Sequence, residues 1–420
     1  MLNRRTFLLS GMAMPMLNCG AVSGNWWDSE ISSFTVRDAN AGYFDREKRR
    51  SLLHTSKSST LIKARKRIEK KAPACNQVLA IPIQDQFINL PSFYGDNAAW
   101  KVAVAPFRDF EDAVSNLAAA NLLTGDVRYA DCLVTLILNW AKRDALMEFS
   151  YSSKQKQGWY QVESTLFAIG FALAVVRPEV LHREADLSFI NTWLVSASRK
   201  HFDKRGEPGG TCCNNHFYRR AVYATIVGVI ADDDRLFRDG VGAIYSALSH
   251  ATKEGALPLE MERGPLAAHY QNYALMYLAM IAHLAERQGY DLWSLEIEGR
   301  SLHSLVALNN RIIADPNFVS RFSGTSEVSL KYRKDNQYFS WFEMYLARFK
   351  NPEMEAWISD RRPLYNRSLG GHMTAYFYTP SGNDVVGSSQ SGQSTPRQPR
   401  FVRVAPQEGQ EGIPTYRLQY

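Results

Sequence analysis

The chain has 420 residues, of which 45% are hydrophobic, 12% aromatic and 22% charged, a composition that excludes an intrinsically disordered protein. Its net charge of +7 is modest and dispersed, without the dense Lys/Arg blocks typical of nucleic-acid binding, and a polyanion other than nucleic acid fits such a charge equally well. The absence of a run of about 18 uninterrupted apolar residues argues against a membrane-spanning helix.

Residues 1–23 have the pattern of an export signal. The paired Arg4-Arg5 precedes a short apolar stretch that resembles a twin-arginine signal, and Ala21-Val22-Ser23 fits a cleavage site. An ordinary buried first helix is the alternative, but a glycine and a proline interrupt the stretch. We therefore predict a periplasmic protein whose folded domain covers residues 24–379.

Four cysteines remain after such a cleavage, namely Cys75, Cys132, Cys212 and Cys213. Their spacing does not match a zinc site, and an oxidising periplasm permits disulfides. We expect buried free thiols or one structural bridge.

From about Phe107 to Phe349, apolar residues recur at helical spacing. One stripe follows offsets of 0, 3, 4, 7, 8 and 11 and comprises Ala130, Leu133, Val134, Ile137, Leu138 and Ala141. Short polar or Gly/Pro breaks such as Thr124-Gly125-Asp126 separate the stripes, and few stretches alternate with period two. The pattern predicts an all-α domain of antiparallel helices, followed by a low-complexity, disordered tail over residues 380–420.

Two segments carry side chains suited to acid–base chemistry. In the first, Asn215 and His216 place an amide beside a titratable imidazole, although a helix-capping Asn and a structural His explain this pair as well. In the second, Arg263 precedes Tyr270 by seven residues. If the stretch is helical, both side chains fall on one face; a surface arginine and a core tyrosine are the alternative.

Together these segments supply what β-elimination from a uronate requires. The proton on C5 is only weakly acidic, so the neighbouring carboxylate must be neutralised as that proton leaves, a role open to Asn215 and Arg263. A base must take the proton and an acid must protonate the glycosidic oxygen at C4, and His216 and Tyr270 are the candidates. A phenol can do both when cations stabilise the phenolate, and Arg263, Lys57 and a charged His216 would provide that field.

Further motifs lie along the chain in a fixed order: Thr55-Ser56-Lys57, Gly158-Trp159-Tyr160, Asn215-His216, Leu257-Pro258-Leu259-Glu260, Tyr270-Gln271-Asn272-Tyr273, Asp335-Asn336-Gln337-Tyr338 and Ser368-Leu369-Gly370-Gly371. Over roughly residues 50–378 the chain resembles the alginate lyases of polysaccharide lyase family 5. The resemblance implies an (α/α) toroid, an incomplete α/α barrel, with a cleft that cuts polymannuronate by β-elimination without metal or other cofactor.

The resemblance also implies residue roles. Tyr270 would be the catalytic acid and base, while Asn215, His216 and Arg263 would hold the substrate carboxylate. Lys57 and Trp159 would line the cleft. Aromatic side chains beside these motifs, Trp159 and Tyr273 among them, are candidates to stack on sugar faces, although most aromatic side chains in such helices are core.

The chain departs from the family pattern after Arg263, where Gly264-Pro265-Leu266 replaces a common basic run. This departure, the tail and the export signal favour a glucuronate-containing exopolysaccharide as an alternative substrate, and exopolysaccharide secretion machinery as a partner.

Two other functions stay open at this point. A glycoside hydrolase on the same toroid needs two facing carboxylates, and Glu260 and Glu262 are the available pair. A non-catalytic periplasmic protein that binds polysaccharide during export needs only the Lys/Arg/Asn groups. No His/Cys/carboxylate cluster has metal-ligand spacing, so we predict a metal-independent enzyme.

Overall fold

A computed structural model of the chain describes residues 26–93, 95–152, 154–206, 211, 213–380, 400–404 and 415–419. Its α-helices are α1 (Asp28–Ile31), α2 (Arg46–Thr55), α3 (Ser59–Lys71), α4 (Cys75–Leu79), α5 (Asn97–Thr124), α6 (Val127–Ala141), α7 (Gln157–Val176), α8 (Glu184–Asp203), α9 (Asn215–Ala231), α10 (Asp234–His250), α11 (Pro258–Met261), α12 (Ala267–Arg287), α13 (Leu302–Ala314), α14 (Ser320–Ser323), α15 (Trp341–Arg348), α16 (Pro352–Ile358) and α17 (Met373–Phe377).

Short 3₁₀ segments connect several of these helices, at Arg177–Glu179, Leu181–Arg183, Gly264–Leu266, Pro316–Val319, Lys331–Lys334, Asn336–Phe339, Ser359–Arg361 and Arg367–Leu369. The strands are β1 (Phe87–Ile88), β2 (Glu148–Phe149), β3 (Arg400–Val404) and β4 (Thr415–Gln419).

The long helices close into a ring. The inner helices α5, α7, α9 and α12 pack side by side in that order, and contacts from α12 through α15, α17 and α3 lead back to α5. Outer helices cover them, with α6 on α5 and both α8 and α10 on α9. The chain is therefore an (α/α) toroid, which confirms the predicted fold class.

Helix α7 is the most apolar element of the ring. The segment Gln157–Glu179 is long and apolar enough to cross a membrane, but 89% of its apolar window is buried inside the protein. A helix that is hydrophobic all round is expected in a core, and α7 occupies that position between α5 and α9.

Local sequence signals set the ends of the helices. The side chains of Asp96, Asp126 and Asp233 accept hydrogen bonds from backbone N–H groups in the first turns of α5, α6 and α10, as N-caps do. Gly125 ends α5 at a positive φ of 71°, a conformation that glycine adopts without steric cost. The stripe that begins at Ala130 is buried along α6, as predicted.

The two strand pairs are small. β1 pairs with β2 in parallel, and β3 pairs with β4 antiparallel. β3 and β4 lie within residues 380–420, where Val402, Val404, Tyr416 and Leu418 are residue types common in strands. The disorder of this tail stays a prediction. The rest of the tail (381–399, 405–414 and 420) and the predicted signal lie outside the described residues.

One structural disulfide joins Cys75 of α4 to Cys132 of α6. Cys213 is also disulfide-bonded, so the described cysteines include no free thiol. The expectation of a structural bridge is confirmed, and the alternative of free thiols is wrong for these residues.

Candidate active site

Most of the predicted catalytic side chains meet where three inner helices begin. Asn215 and His216 form the first turn of α9, and the carboxamide oxygen of Asn214 caps it by accepting from the His216 N–H at 3.1 Å. Tyr270 lies in the first turn of α12, and Arg263 precedes it by way of the 3₁₀ segment Gly264–Leu266. Since α7, α9 and α12 are neighbours in the ring, their first turns face a common space.

The surroundings of His216 favour the neutral form of its imidazole. Its ring stacks on Tyr160 with 4.8 Å between ring centres, and its Nδ1 is buried without a hydrogen-bond partner among the described residues. Burial lowers the pKa of His216 well below its usual value, and the charges of Arg219, Arg220, Arg263 and Lys156 lower it further. This direction is opposite to the one expected for a charged His216, because the same cations that would attract a substrate carboxylate disfavour protonation of the ring.

Arg263 lies directly over Tyr270. Its guanidinium carbon is 4.1 Å from the centre of the phenol ring, within the range of a cation–π contact. The predicted proximity is confirmed, although a 3₁₀ turn rather than one continuous helix produces it. The charge of Arg263 also acts on His216, and Tyr270 acts electrostatically on Tyr160, so these four side chains share one electrostatic environment.

Asn215 is fixed by a buried carboxylate. Its backbone N–H donates to Oε1 of Glu260 at 2.5 Å and its Nδ2 donates to Oε2 at 2.9 Å. Burial raises the pKa of Glu260 to about 7, against the lowering effect of the two Asn215 bonds and of Arg263. The Oδ1 of Asn215 is buried without a described partner. The sequence did not reveal that Glu260 holds Asn215 in place, because the two residues are 45 positions apart in the chain.

The same contact decides against the hydrolase alternative. Glu260 is 1% exposed and accepts both Asn215 bonds, whereas Glu262 is exposed. The two carboxylates do not form a pair across a cleft, which the hydrolase mechanism requires.

Tyr273 takes part in an internal ionic network. Its hydroxyl accepts from Nη1 of Arg219 at 3.0 Å, and Nε of Arg219 is 2.5 Å from Oε1 of the fully buried Glu163. The ion pair between Arg219 and Glu163 was not predicted. The sequence indicates it only through the presence of charged residues on the otherwise apolar helices α7 and α9. Contact between Tyr273 and a sugar stays a prediction.

Trp159 lies in the protein core. Its side chain is fully buried between the ring of His201, at 5.3 Å, and the guanidinium of Arg220, at 4.9 Å. Position 159 faces the core side of α7, while the next residue, Tyr160, packs on His216. Contact between Trp159 and a substrate stays a prediction.

Lys57 lies at the junction between α2 and α3 and is exposed. Among the described residues, the structure gives it no contact with Tyr270, His216 or Arg263. Its role in substrate binding stays a prediction.

Comparison with known proteins gives a consistent result. The family model described as "Alginate lyase" matches residues 54–318. A polysaccharide lyase of Stenotrophomonas maltophilia is 27% identical over 277 residues, which cover 65% of this chain and 80% of that protein. An alginate lyase of Pseudomonas syringae pv. syringae is 26% identical over 285 residues, or 66% and 74% of the two chains.

Among solved structures, alginate lyase A1-III from Sphingomonas species A1 is similar to this chain with a TM-score of 0.74 and 30% identity, over 83% of this chain and 99% of that one. Variants of A1-III complexed with a tetrasaccharide match equally well, with a TM-score of 0.74 over 84% of this chain.

Proposed function

Since the chain belongs to the alginate lyase family and is a polysaccharide lyase, we propose that it cleaves a polyuronate by β-elimination, leaving a 4,5-unsaturated uronate end. The observation that carries this proposal is the contact of Arg263 with Tyr270 in the electrostatic environment of the neutral His216. That arrangement provides a fixed positive charge for a carboxylate and two groups able to exchange protons.

The proposed steps use only these side chains. Arg263 and Asn215 bind the substrate carboxylate and accept the charge that develops as the C5 proton leaves. The phenolate oxygen of Tyr270 takes that proton, the electron pair forms the double bond between C4 and C5, and the C4–oxygen bond breaks. Tyr270 then returns the proton to the departing glycosidic oxygen. Neutral His216 adds a hydrogen bond to the carboxylate rather than a charge.

The A1-III structures support these assignments. Two of them hold a tetrasaccharide in variants in which a histidine is replaced by alanine or a tyrosine by phenylalanine. The separation of those two positions along that chain equals the separation of His216 and Tyr270 here. We carry over from this only the expectation that the pair acts on an oligosaccharide.

The proposal extends to location and substrate. The paired Arg4-Arg5 and the following apolar stretch support export to the periplasm, where the enzyme would meet alginate or a glucuronate-containing exopolysaccharide. The exopolysaccharide secretion machinery is the proposed partner in the second case.

A panel of purified polymannuronate, polyguluronate and polyglucuronate tests the proposal. We expect ultraviolet absorbance from the unsaturated product with at least one polymer, and loss of that signal in Arg263→Ala. New reducing ends without absorbance would identify a hydrolase, and binding without either product would identify a non-catalytic protein; both results would contradict the proposal.

A further inference from the structure

Helix α3 presents a row of exposed positive charge. Lys63, Lys66 and Lys70 are all exposed and follow helical spacing. The buried residues Leu61, Ala64 and Ile68 repeat the same spacing two positions earlier, which is about 200° around the helix. The lysines therefore form the solvent side of a helix whose other side is in the core, and with Lys71 they make up what we call the α3 lysine face.

The charges of this face have no acidic partners among the described residues. The ion pair within α3 joins Arg65 to Glu69 at 3.6 Å, and Glu69 is the only acid in the helix, against six lysines and arginines. A solvated helix face ordinarily mixes both signs. Like charges at i and i+4, such as Lys66 and Lys70, destabilise a helix, and the helix dipole favours cations only in the last turn. Helix stability therefore does not account for Lys63 and Lys66.

Polar contacts lead from α3 toward the candidate active site. The guanidinium of Arg67, next to Lys66, lies 5.0 Å from the ring centre of Tyr365. The Tyr365 hydroxyl donates to Asp112 at 2.8 Å, and Asp112 also accepts from Nε of Arg367 at 2.8 Å.

From Arg367 the series continues to α7. Its Nε is 3.8 Å from Oε2 of the buried Glu111, whose Oε1 accepts from Nε2 of Gln161 at 2.7 Å. Gln161 follows Tyr160, which stacks on His216. Because Glu111 and Gln161 are buried, these contacts connect α3 to the first turns of α7 through the interior of the protein.

We propose that the α3 lysine face binds a second segment of the anionic polysaccharide, outside the site where the chain is cut. The choice of occupant rests on the proposed function, which makes the substrate a polyanion, and on charge complementarity. The face would hold long chains near the enzyme between cuts and would not contact a short oligosaccharide that fills only the active site.

The test compares K63Q/K66Q/K70Q with the control K142Q/K253Q/K350Q, which removes the same charge from three other exposed lysines. We expect the α3 variant to raise KM for long polymannuronate by about threefold to thirtyfold at low salt, with kcat unchanged. Turnover of a mannuronate tetramer should not change, and added salt should remove the difference between the variants.

Equal KM values for the two variants on the polymer would overturn the inference, and so would an equal loss on the tetramer. Anionic phospholipid vesicles, tested by co-sedimentation, would show a membrane surface instead if the α3 variant lost vesicle binding but kept its polymer KM. Direct binding of fluorescently labelled polymannuronate and polyglucuronate separates the two proposals. If neither polymer were cut and one still bound in an α3-dependent manner, the proposed function would fail while this inference stood.

Discussion

At the scale of single residues, burial decides which groups at the candidate active site carry charge. An ordinary histidine is protonated below a pH of about 6.5, but burial and four neighbouring cations lower the pKa of His216 well below that value. Glu260 shows the opposite change, since burial raises its pKa to about 7. The permanent charge beside Tyr270 is thus Arg263, and the imidazole is available as a neutral hydrogen-bonding group.

Tyr270→Phe tests the assigned proton carrier. The substitution keeps the ring under Arg263 and removes only the hydroxyl. We expect kcat to fall by about 10²- to 10⁴-fold, as for loss of a general acid or base, with little change in substrate binding or thermal stability. Tyr273→Phe is the control, because it removes a hydroxyl that bonds to Arg219 and not the proposed carrier. Near-normal turnover in Tyr270→Phe, with activity abolished in His216→Ala, would make His216 the base.

Glu260→Gln tests whether the Glu260 carboxylate holds Asn215 in position. The wild-type carboxylate accepts both Asn215 bonds through its two oxygens, and a proton on it compromises one of them. Because the pKa of Glu260 is about 7, we expect wild-type kcat/KM to decline as the pH falls through 7. In Glu260→Gln, which does not titrate, that step should be missing. A pH–rate profile with the same step in both proteins would contradict this role, and Glu262→Gln, at an exposed position, should keep the step.

The same substitution should also change how thermal stability depends on pH, in a direction that the pKa of Glu260 determines. A carboxyl whose pKa is raised from 4.5 to about 7 in the folded protein costs stability as the pH rises through that interval, since the folded state then holds a proton that the unfolded state has lost. The melting temperature of Glu260→Gln relative to wild type should therefore be more favourable at pH 8 than at pH 4.5.

At the scale of elements, the position of Asn215 and His216 depends on how closely α9 packs against its outer helix α10. Gly240 of α10 makes this approach, because a Cβ atom built there would lie 1.9 Å from Oγ1 of Thr225 and 2.8 Å from the carbonyl oxygen of Ala221. Both contact atoms belong to α9. The glycine thus sets the distance between a scaffold helix and the helix that begins at the site.

Gly240→Ala should force these two helices apart. We expect a loss of about 1–3 kcal/mol in the free energy of unfolding, the usual cost of overpacking, measured by urea or thermal unfolding. Gly242→Ala, in the same helix, is the matched control: its Cβ would meet only Cδ1 of Ile31 at 3.5 Å, so the better helix propensity of alanine should leave stability equal or up to about 1 kcal/mol higher. Equal effects of the two variants would show that α9 and α10 do not require this close contact.

At the scale of the whole molecule, the features predicted correctly depend on local signals. The α6 stripe is a periodic pattern over a few turns, and the break at Gly125 is marked by a single residue. The motifs that contain Arg263 and Tyr270 are equally short. The features that the sequence did not reveal are set by distant parts of the chain. The burial of Trp159, the neutrality of His216 and the bond from Asn215 to Glu260 all arise from packing between helices that no local pattern records.

The distribution of charge on the protein surface also depends on folding. The net charge of the chain is modest, although six of its lysines and arginines lie between residues 63 and 71. Folding places Lys63, Lys66 and Lys70 on one exposed face and leaves the acid of that helix paired with Arg65. The charge that a polymer meets is therefore a property of the folded surface and not of the net charge of +7.

Metal independence is a prediction about the whole molecule. Among the described residues, no group of three or more His, Cys, Asp or Glu side chains is placed to hold a metal ion. In the proposed mechanism, Arg263 supplies the positive charge that a metal ion provides in some eliminations, and it contacts Tyr270 and acts on the pKa of His216. We therefore expect a chelator to leave kcat and KM unchanged.

Ionic strength must be held constant in that experiment, because added salt weakens polymer binding at exposed lysines and would imitate loss of a metal. Arg263→Ala is the informative companion variant. If Arg263 supplies the charge, Arg263→Ala stays inactive when calcium or zinc is added. A metal-dependent wild-type enzyme, in contrast, would lose activity in chelator and recover it with one of these ions. Such recovery in the wild-type enzyme would mean that charge neutralisation at the substrate carboxylate requires a metal ion that Arg263 does not replace.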